Sequence, residues 1–124
     1  MVKKNYDEFC RTIAKISSYI RFVAVIGNRG ELVSHYRRHG LKPLLNAKDM
    51  QYQFSHIAIK TDLEAFFDKS LGTVEFVWEE RKKVQTIAFA LKKNRVWVSI
   101  DKKVVRSEIL RIIDTCLPII KLNS

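Results

Sequence analysis

Residues 20–33 read IRFVAVIGNRGELV, and this stretch decides the fold of the chain. Its first half, residues 20–26, is rich in β-branched residues and almost continuously apolar, as is typical of a strand buried on both faces. Residues 27–30, Gly-Asn-Arg-Gly, supply positions that tolerate a positive φ. Residues 31–36 then alternate as a returning strand does. The stretch therefore predicts a β-hairpin whose first strand is central in a sheet and whose second strand lies at an edge.

The segments on either side of the hairpin predict helices. Apolar residues recur every three or four positions over residues 6–20, so they share one helical face. Asn5 and Glu8 have the spacing of a capping box at the start of this helix. After a polar connection over residues 37–43 that contains Gly and Pro, a longer helix is predicted over residues 47–70.

The long helix has two unusual features. Asn46 is its predicted cap, but its apolar residues are too widely distributed around the helix for a single buried stripe, so two faces need cover. Thr61 and Glu64 also have the spacing of an internal capping box. We therefore expect a break in the helix near Lys60.

The C-terminal half predicts an antiparallel meander followed by a helix. Three strand-like runs, residues 73–79, 84–91 and 96–100, are separated by short basic turns. Asp101 is the expected cap of the last helix, and Pro118 is expected near its end. The predicted order of elements is α-β-β-α-β-β-β-α, an α+β fold in which helices and a sheet form a sandwich.

The composition is that of one globular domain. The chain has 124 residues, of which 47% are apolar and 29% charged, with only 4 Gly and 2 Pro. No run approaches the length of an apolar membrane span, and residues 1–8 lack the apolar core of a signal peptide. We therefore expect residues 1–124 to form a single domain of a cytoplasmic protein. The formal net charge of +10 favours anionic partners in general.

Two stretches resemble a known family. Residues 20–33 and the segment Leu71-Gly72-Thr73-Val74-Glu75-Phe76 are similar to the opening hairpin and the entry to the meander in the roadblock/dynein light chain 7 family, within the profilin-like folds. The order of elements extends the resemblance over nearly the whole chain. The same stretches also resemble a group of short, uncharacterised archaeal proteins. Neither stretch is a catalytic signature, and a fold does not by itself establish a function.

The resemblance implies a five-stranded antiparallel sheet in the order 2-1-5-4-3, with the first and last helices on one face and the long helix on the other. It also implies a homodimer formed through the long helix and the third strand. That strand reads independently as an edge with large apolar residues and no proline, a hazard that pairing with a second copy would remove. The residues expected in this self-contact are Tyr52, Phe54, Phe67, Val74, Phe76 and Trp78.

The same strand order brings basic residues together. The end of the second strand, the turn after the third and the end of the fifth should lie at one end of the sheet. We call this group the basic pole: Arg37, Arg38, Lys42, Arg81, Lys82, Lys83, Lys102 and Lys103. A second basic group is expected at the opposite end: Arg29, Lys92, Lys93 and Arg95. Such groups could bind nucleic-acid phosphates, lipid headgroups or an acidic protein, although hairpin tips are also commonly basic for solubility.

No signature of a metal site, a cofactor site or catalysis is recognised. His35 and His39, beside the basic pole, lack a third ligand and lie among arginines that repel cations. Residues 27–30 lack the Gly-Lys-Ser/Thr ending of a phosphate-binding loop. Nothing around Ser34 resembles a nucleophile elbow. We therefore predict a non-enzymatic protein with no cofactor.

The cysteines and tryptophans have simple packing roles as the first expectation. Cys10 and Cys116 are far apart in sequence and are expected to be buried free thiols. Trp78 and Trp97 lie in different strands of the meander, where burial is the simplest role. A ligand pocket lined by both, as in PAS-type sensors, is the alternative. The single long helix between the second and third strands argues against it.

Two functional hypotheses result. The first is a homodimeric roadblock-like interaction module, whose family resemblance implies a small Ras-like GTPase or a larger scaffold as partner. The second is a basic domain that binds nucleic acid or an anionic membrane through its charged ends, with an affinity that falls as salt rises.

Overall fold

The predicted hairpin forms from β1 (Ile20–Ile26) and β2 (Leu32–Arg37) in the computed structural model, which describes residues 6–124. β1 is buried along almost its whole length because it pairs with β2 on one side and with a C-terminal strand on the other. In the turn, Gly30 has a φ of +84°, and a Cβ there would lie 3.0 Å from the backbone of Ser55. This close approach of hairpin and helix requires glycine.

The remaining elements complete the predicted sandwich. They are α1 (Asp7–Ala14), α2 (Ala47–Ala65), α3 (Asp68–Leu71), β3 (Phe76–Glu80), β4 (Val84–Leu91), β5 (Asn94–Asp101) and α4 (Arg106–Leu122). The strands form one antiparallel sheet in the order β2-β1-β5-β4-β3. The α+β class and the strand order inferred from the sequence are therefore confirmed.

The sheet carries a core on each face. The first core packs α1 and α4 against the sheet around five side chains with 0% exposure: Ile13, Val23, Phe89, Val98 and Ile112. The second core, much smaller, lies under α2 and comprises Phe22, Ala24, Ile26, Phe54, Ile57 and Trp97. The resemblance therefore placed the helices on the correct faces.

The long helix differs from the prediction. It ends at Ala65 and a short α3 follows, so the break lies at residues 66–67 rather than near Lys60. Thr61 does not cap a new helix, because its hydroxyl donates to the carbonyl of Ile57 one turn earlier. The cap at the other end is confirmed, since Asn46 Oδ1 accepts a hydrogen bond from the main-chain N–H of Asp49 at 2.8 Å.

The first helix is shorter than the prediction because the chain must turn before β1. α1 ends at Ala14, and the main-chain N–H groups of Ile16 and Ile20 donate to carbonyls three residues earlier. The apolar spacing continues through this turn, which is why the sequence suggested a longer helix. The proposed capping box of Asn5 and Glu8 depends on Asn5, which lies outside the described residues.

Two further boundaries are corrected in the C-terminal half. β3 begins at Phe76 rather than at residue 73. β5 runs on to Asp101, whose carboxylate accepts from the main-chain N–H of Lys103, so Asp101 closes a turn and does not cap α4. α4 begins at Arg106, and Pro118 lies inside it.

Cys10 and Cys116 are free and fully buried in the first core, as predicted. Burial raises the pKa of each thiol to about 12, and the negative charge of Asp7 adds to this effect at Cys10. Both side chains therefore remain neutral and unreactive at neutral pH. Within residues 6–124, no helix combines the length and the apolar character needed to cross a membrane.

Candidate functional site

The outward face of α2 carries a row of large apolar side chains. We call this row the α2 stripe: Tyr52, Ile59, Leu63 and Phe66. Their exposed fractions are 66%, 58%, 67% and 83%, in that order. Tyr52, Ile59 and Leu63 are spaced seven and four residues apart in α2, and Phe66 follows the end of the helix three residues later, so all four lie opposite the buried Phe54 and Ile57. The stripe is thus not covered by any part of the described chain.

Two more exposed apolar residues follow the stripe. Phe67 and Leu71 are 54% and 80% exposed at the break and in α3. The ring centroids of Phe66 and Phe67 lie 5.1 Å apart in an edge-to-face arrangement. The apolar surface therefore continues past the end of α2.

The open edge of β3 lies at one side of the sheet. The carbonyl of Glu75 accepts from the N–H of Ala90, and the N–H of Arg81 donates to the carbonyl of Val84. Because the direction of main-chain groups alternates along an antiparallel strand, those of residues 76, 78 and 80 point away from β4. Lys60 Nζ lies 3.4 Å from Glu79 Oε2 and connects α2 to this strand.

The residues predicted for self-contact on α2 and at its C-terminal break differ in their exposure. Tyr52 and Phe67 are exposed and available. Phe54 is not, since it is only 2% exposed and its ring lies 6.1 Å from that of Trp97 in the second core. Its assignment to the self-contact is therefore corrected. The large apolar residues exposed on the same side of the helix as Tyr52 are instead Ile59, Leu63 and Phe66.

In and before β3, the residues predicted for self-contact have half-buried side chains. The side chains of Phe76 and Trp78 are half-buried against the first core. The Phe76 ring lies 6.0 Å from that of Phe89, and Trp78 Nε1 donates to Gln85 Oε1 at 2.9 Å. Val74 is half-buried just before the strand.

Half of the basic pole gathers around one cavity. Arg37, Arg81, Lys82 and Lys83, joined by Arg21, line a cavity of about 530 Å³ between α2 and the sheet, which we call the α2 cavity. Its remaining lining residues are Phe22, Leu44, Leu45, Met50, Gln53, Val84, Thr86, Trp97 and Ser99. The strand order thus brings together cations that are more than 40 positions apart in the sequence.

Arg38 has a structural role. Its Nε donates to the carbonyl of Ile20 at 2.7 Å, and its Nη2 donates to the carbonyls of Ala14 and Ser17 at 2.8 and 3.0 Å. The guanidinium therefore satisfies the hydrogen-bonding capacity of main-chain carbonyls in the turn between α1 and β1. It is engaged within the protein rather than presented to an anion.

The other members of the pole lie outside the cavity. Lys42, Lys102 and Lys103 are exposed, and the main-chain carbonyl of Lys42 accepts from Arg21 Nη2 at 3.2 Å. The ring of His35 lies 5.8 Å from that of Phe22. In the part of the chain that the structure describes, no cluster of three or more His, Cys, Asp or Glu side chains could hold a metal ion.

The second basic group is divided. Arg29, Lys92 and Lys93 are exposed, but Arg95 is half-buried in a cleft beneath α2. Burial lowers the pKa of Arg95, while the charges of Glu64 and Asp68 act in the opposite direction. Arg95 is therefore less accessible than the other members of this group.

The two tryptophans do not share a pocket. Trp97 lies on the α2 face, in the second core and at the α2 cavity, whereas Trp78 packs on the opposite face. A sensor pocket lined by both side chains is therefore inconsistent with the structure.

The sequence matches no protein-family model and no curated protein. Solved structures nevertheless share the fold. The roadblock/LC7 domain from Streptomyces avermitilis superposes with a TM-score of 0.68 over 95% of this chain and 96% of its own, at 8% identity. An MglB with a tetrameric arrangement gives 0.72 over 99% and 93%, at 8% identity. A Schizosaccharomyces pombe profilin gives 0.62 over 91% and 94%, at 10% identity. The chain therefore has the roadblock/LC7 fold, of the profilin-like type.

Proposed function

We propose that this chain is a non-enzymatic interaction module that forms a homodimer through the α2 stripe and the open edge of β3. The observation that carries the proposal is the stripe itself. Each of its four side chains is more than half exposed, on a helix whose opposite face is already packed. A group of large exposed apolar side chains on one side of a helix is typical of a site of association.

The β3 edge supports the same interface. Its outward N–H and C=O groups could be paired by a second β3 running antiparallel about a two-fold axis. This pairing would extend the sheet across two copies and remove the exposed edge. An MglB with this fold adopts a tetrameric arrangement, which makes self-association the first property to test.

The partner of the dimer is proposed from the family resemblance. The roadblock/dynein light chain 7 resemblance makes a small Ras-like GTPase the first candidate partner and a larger scaffold protein the second. In either case the dimer would present two identical copies of its surface. The role of the chain would then be to bring partners together rather than to transform a substrate.

Light scattering tests the dimer directly. The wild type should have twice the chain mass of 14.5 kDa, with little sensitivity to salt because the contact is apolar. Leu63→Asp/Phe66→Asp should have the mass of one chain and an unchanged circular dichroism spectrum, because both side chains are exposed. Leu110→Asp, at a 51% exposed position on α4, is the matched control and should keep the mass of the wild type.

Two results would contradict this proposal. One is a wild type that stays monomeric over the whole concentration range. The other is a stripe variant that retains the dimeric mass while it remains folded.

The alternative function is binding of nucleic acid or an anionic membrane. It is supported by the four basic-pole residues that converge at the α2 cavity. Repeating the scattering measurement with a short duplex at low and high salt tests the nucleic-acid form. A complex that forms only at low salt supports it, whereas a mass unaffected by the duplex at both salt concentrations counts against it.

A further inference from the structure

We propose that the α2 cavity is a binding site for a small amphiphilic anion, meaning a molecule with an apolar body and one carboxylate, phosphate or sulfonate group. The site is formed by a single chain. The proposal therefore stands or falls independently of the homodimer.

The cavity exists because small side chains lie in the middle of its floor. Arg37, Phe22, Ser99 and Thr86 are successive cross-strand neighbours, so they form one row across four strands. Ser99 and Thr86 fill less space than their large neighbour Phe22. This leaves a hollow below α2 with a volume of about 530 Å³, within the range typical of ligand pockets.

Part of the lining is suited to an apolar body. Phe22 and Trp97 lie in the floor but are already buried in the second core, at 4% and 7% exposure, so the apolar surface open to a ligand comes from other residues, beginning with the half-buried Met50 of α2. Leu44 and Leu45 contribute from the segment before the helix, and Leu44 remains 53% exposed. A bound apolar group would cover this surface and gain about 25 cal/mol for each square ångström removed from water.

The charges of the cavity are suited to an anion. Among the described residues, Arg21, Arg37, Lys82 and Lys83 form no ion pair, whereas Arg81 lies 3.4 Å from a carboxylate oxygen of Glu79. No Asp or Glu lines the cavity. Four uncompensated cations around a partly apolar hollow attract a negative group.

Arg37 lies close to both an aromatic ring and a second arginine of the cavity. Its guanidinium carbon lies 4.4 Å from the centre of the Phe22 ring, where it forms a cation–π contact. Burial and the like charge of Arg21 both lower the pKa of Arg37. An anionic headgroup between the two arginines would relieve this repulsion and accept hydrogen bonds from both.

The chemistry requires both parts of the ligand. An inorganic ion alone would leave the apolar surface of Leu44, Leu45 and Met50 uncovered, and a neutral apolar molecule would leave the cations unpaired. We therefore expect binding to depend on the apolar body and the charge together.

A pair of fluorescent dyes tests this requirement. One is 8-anilinonaphthalene-1-sulfonate, an amphiphilic anion, and the other is its uncharged analogue N-phenyl-1-naphthylamine. Titrations in the Leu63→Asp/Phe66→Asp background remove the apolar α2 stripe as a competing site. The anionic dye should bind one molecule per chain, at least about fivefold more tightly than the neutral dye, and dodecanoate should displace it.

Three variants locate the site. Lys82→Gln/Lys83→Gln should weaken binding of the anionic dye about fivefold, while the matched control Lys102→Gln/Lys103→Gln, outside the cavity, should leave it unchanged. Ser99→Leu fills the hollow and should weaken both dyes at least about tenfold. Because Ser99 is buried, its variant is used only if its circular dichroism matches that of the wild type, and the lysine variants provide the test otherwise.

Several results would overturn the proposal. These are equal affinity for the two dyes, equal losses in the two lysine double variants, and full binding by folded Ser99→Leu. A last arm compares dodecanoate below its micellar concentration with phosphatidylglycerol vesicles. Displacement of the anionic dye by dodecanoate supports a free amphiphile as the ligand. If the protein binds the vesicles but dodecanoate does not displace the dye, the binding is due to surface charge alone and the proposal is overturned.

Discussion

The two faces of the sheet are covered to very different extents. On one face, α1 and α4 enclose the large first core, whose central side chains are completely buried. On the other, α2 covers a small second core and leaves the α2 cavity beside it and the α2 stripe exposed above it. The difference indicates that the first face supplies most of the stability, while the second face retains the surfaces suited to binding.

Neighbouring arginines show the same division at the level of single residues. Arg37 is the last residue of β2 and Arg38 follows it directly, and because the extended pairing with β1 continues through Arg38, the two side chains point to opposite faces of the sheet. Arg38 is held by three main-chain carbonyls near α1, whereas Arg37 lines the α2 cavity. Adjacent positions of the same residue type thus have separate roles.

The largest expected effect compares one core residue on each face. Ile112→Ala in the first core should lower the free energy of unfolding by about 4 kcal/mol, and Ile57→Ala in the second core by about 2 kcal/mol, because only the latter site can relax toward a cavity and solvent. Urea denaturation followed by circular dichroism measures both. Equal losses would show that the two faces contribute alike to stability.

An intermediate effect is expected at Arg38. Arg38→Gln leaves main-chain carbonyls without their charged donor and should cost about 2 kcal/mol of stability. Binding of the anionic dye should not change, because Arg38 lies outside the cavity lining. Arg37→Gln is the control with the opposite pattern, a small loss of stability and weaker dye binding. If both variants lost the same amount of stability and of dye affinity, the separate roles assigned to Arg37 and Arg38 would be wrong.

The smallest effect concerns the acid side of the stability profile. Arg106 donates to both carboxylate oxygens of Glu80, at 2.6 and 2.9 Å, and this hydrogen bonding lowers the pKa of Glu80. The pair therefore adds stability above the ordinary carboxyl pKa and loses it as the pH falls through the lowered value. Glu80→Gln should remove this small dependence at low salt. The pair is exposed, so the difference should disappear at high salt.

Elements were predicted correctly where the local sequence pattern matches the burial that the segment has in the folded protein. The hairpin, the run of β4 and the Asn46 cap are all as expected. Prediction failed at boundaries where apolar periodicity continues beyond an element, as in the turn after α1. The break predicted near Lys60 was wrong because a threonine hydroxyl can either cap a helix or, as in Thr61, donate to a carbonyl of the preceding turn.

Prediction of the candidate site was less complete. Strand order alone predicts that the members of the basic pole lie at one end of the sheet, and four of the eight line the α2 cavity. The α2 cavity was not predicted, because it depends on how the small side chains of Ser99 and Thr86 pack beneath α2. Phe54 was predicted in the self-contact because composition does not show which side of the helix meets the sheet. In the structure Phe54 is buried, whereas Leu63 is exposed.

Three features could be predicted without the structure: the order of the elements apart from the short α3, the central position of β1 and the excess of positive charge. These depend on patterns within one segment or on composition, which need no knowledge of distant residues. The packing of distant segments determines that Arg38 supports a turn while Arg37 lines a cavity, and that Phe54 is buried in the core while Phe66 is exposed. The physical reason is that burial and pairing arise from contacts between segments far apart in the chain, so identical local patterns acquire different roles once the sheet and α2 are packed together.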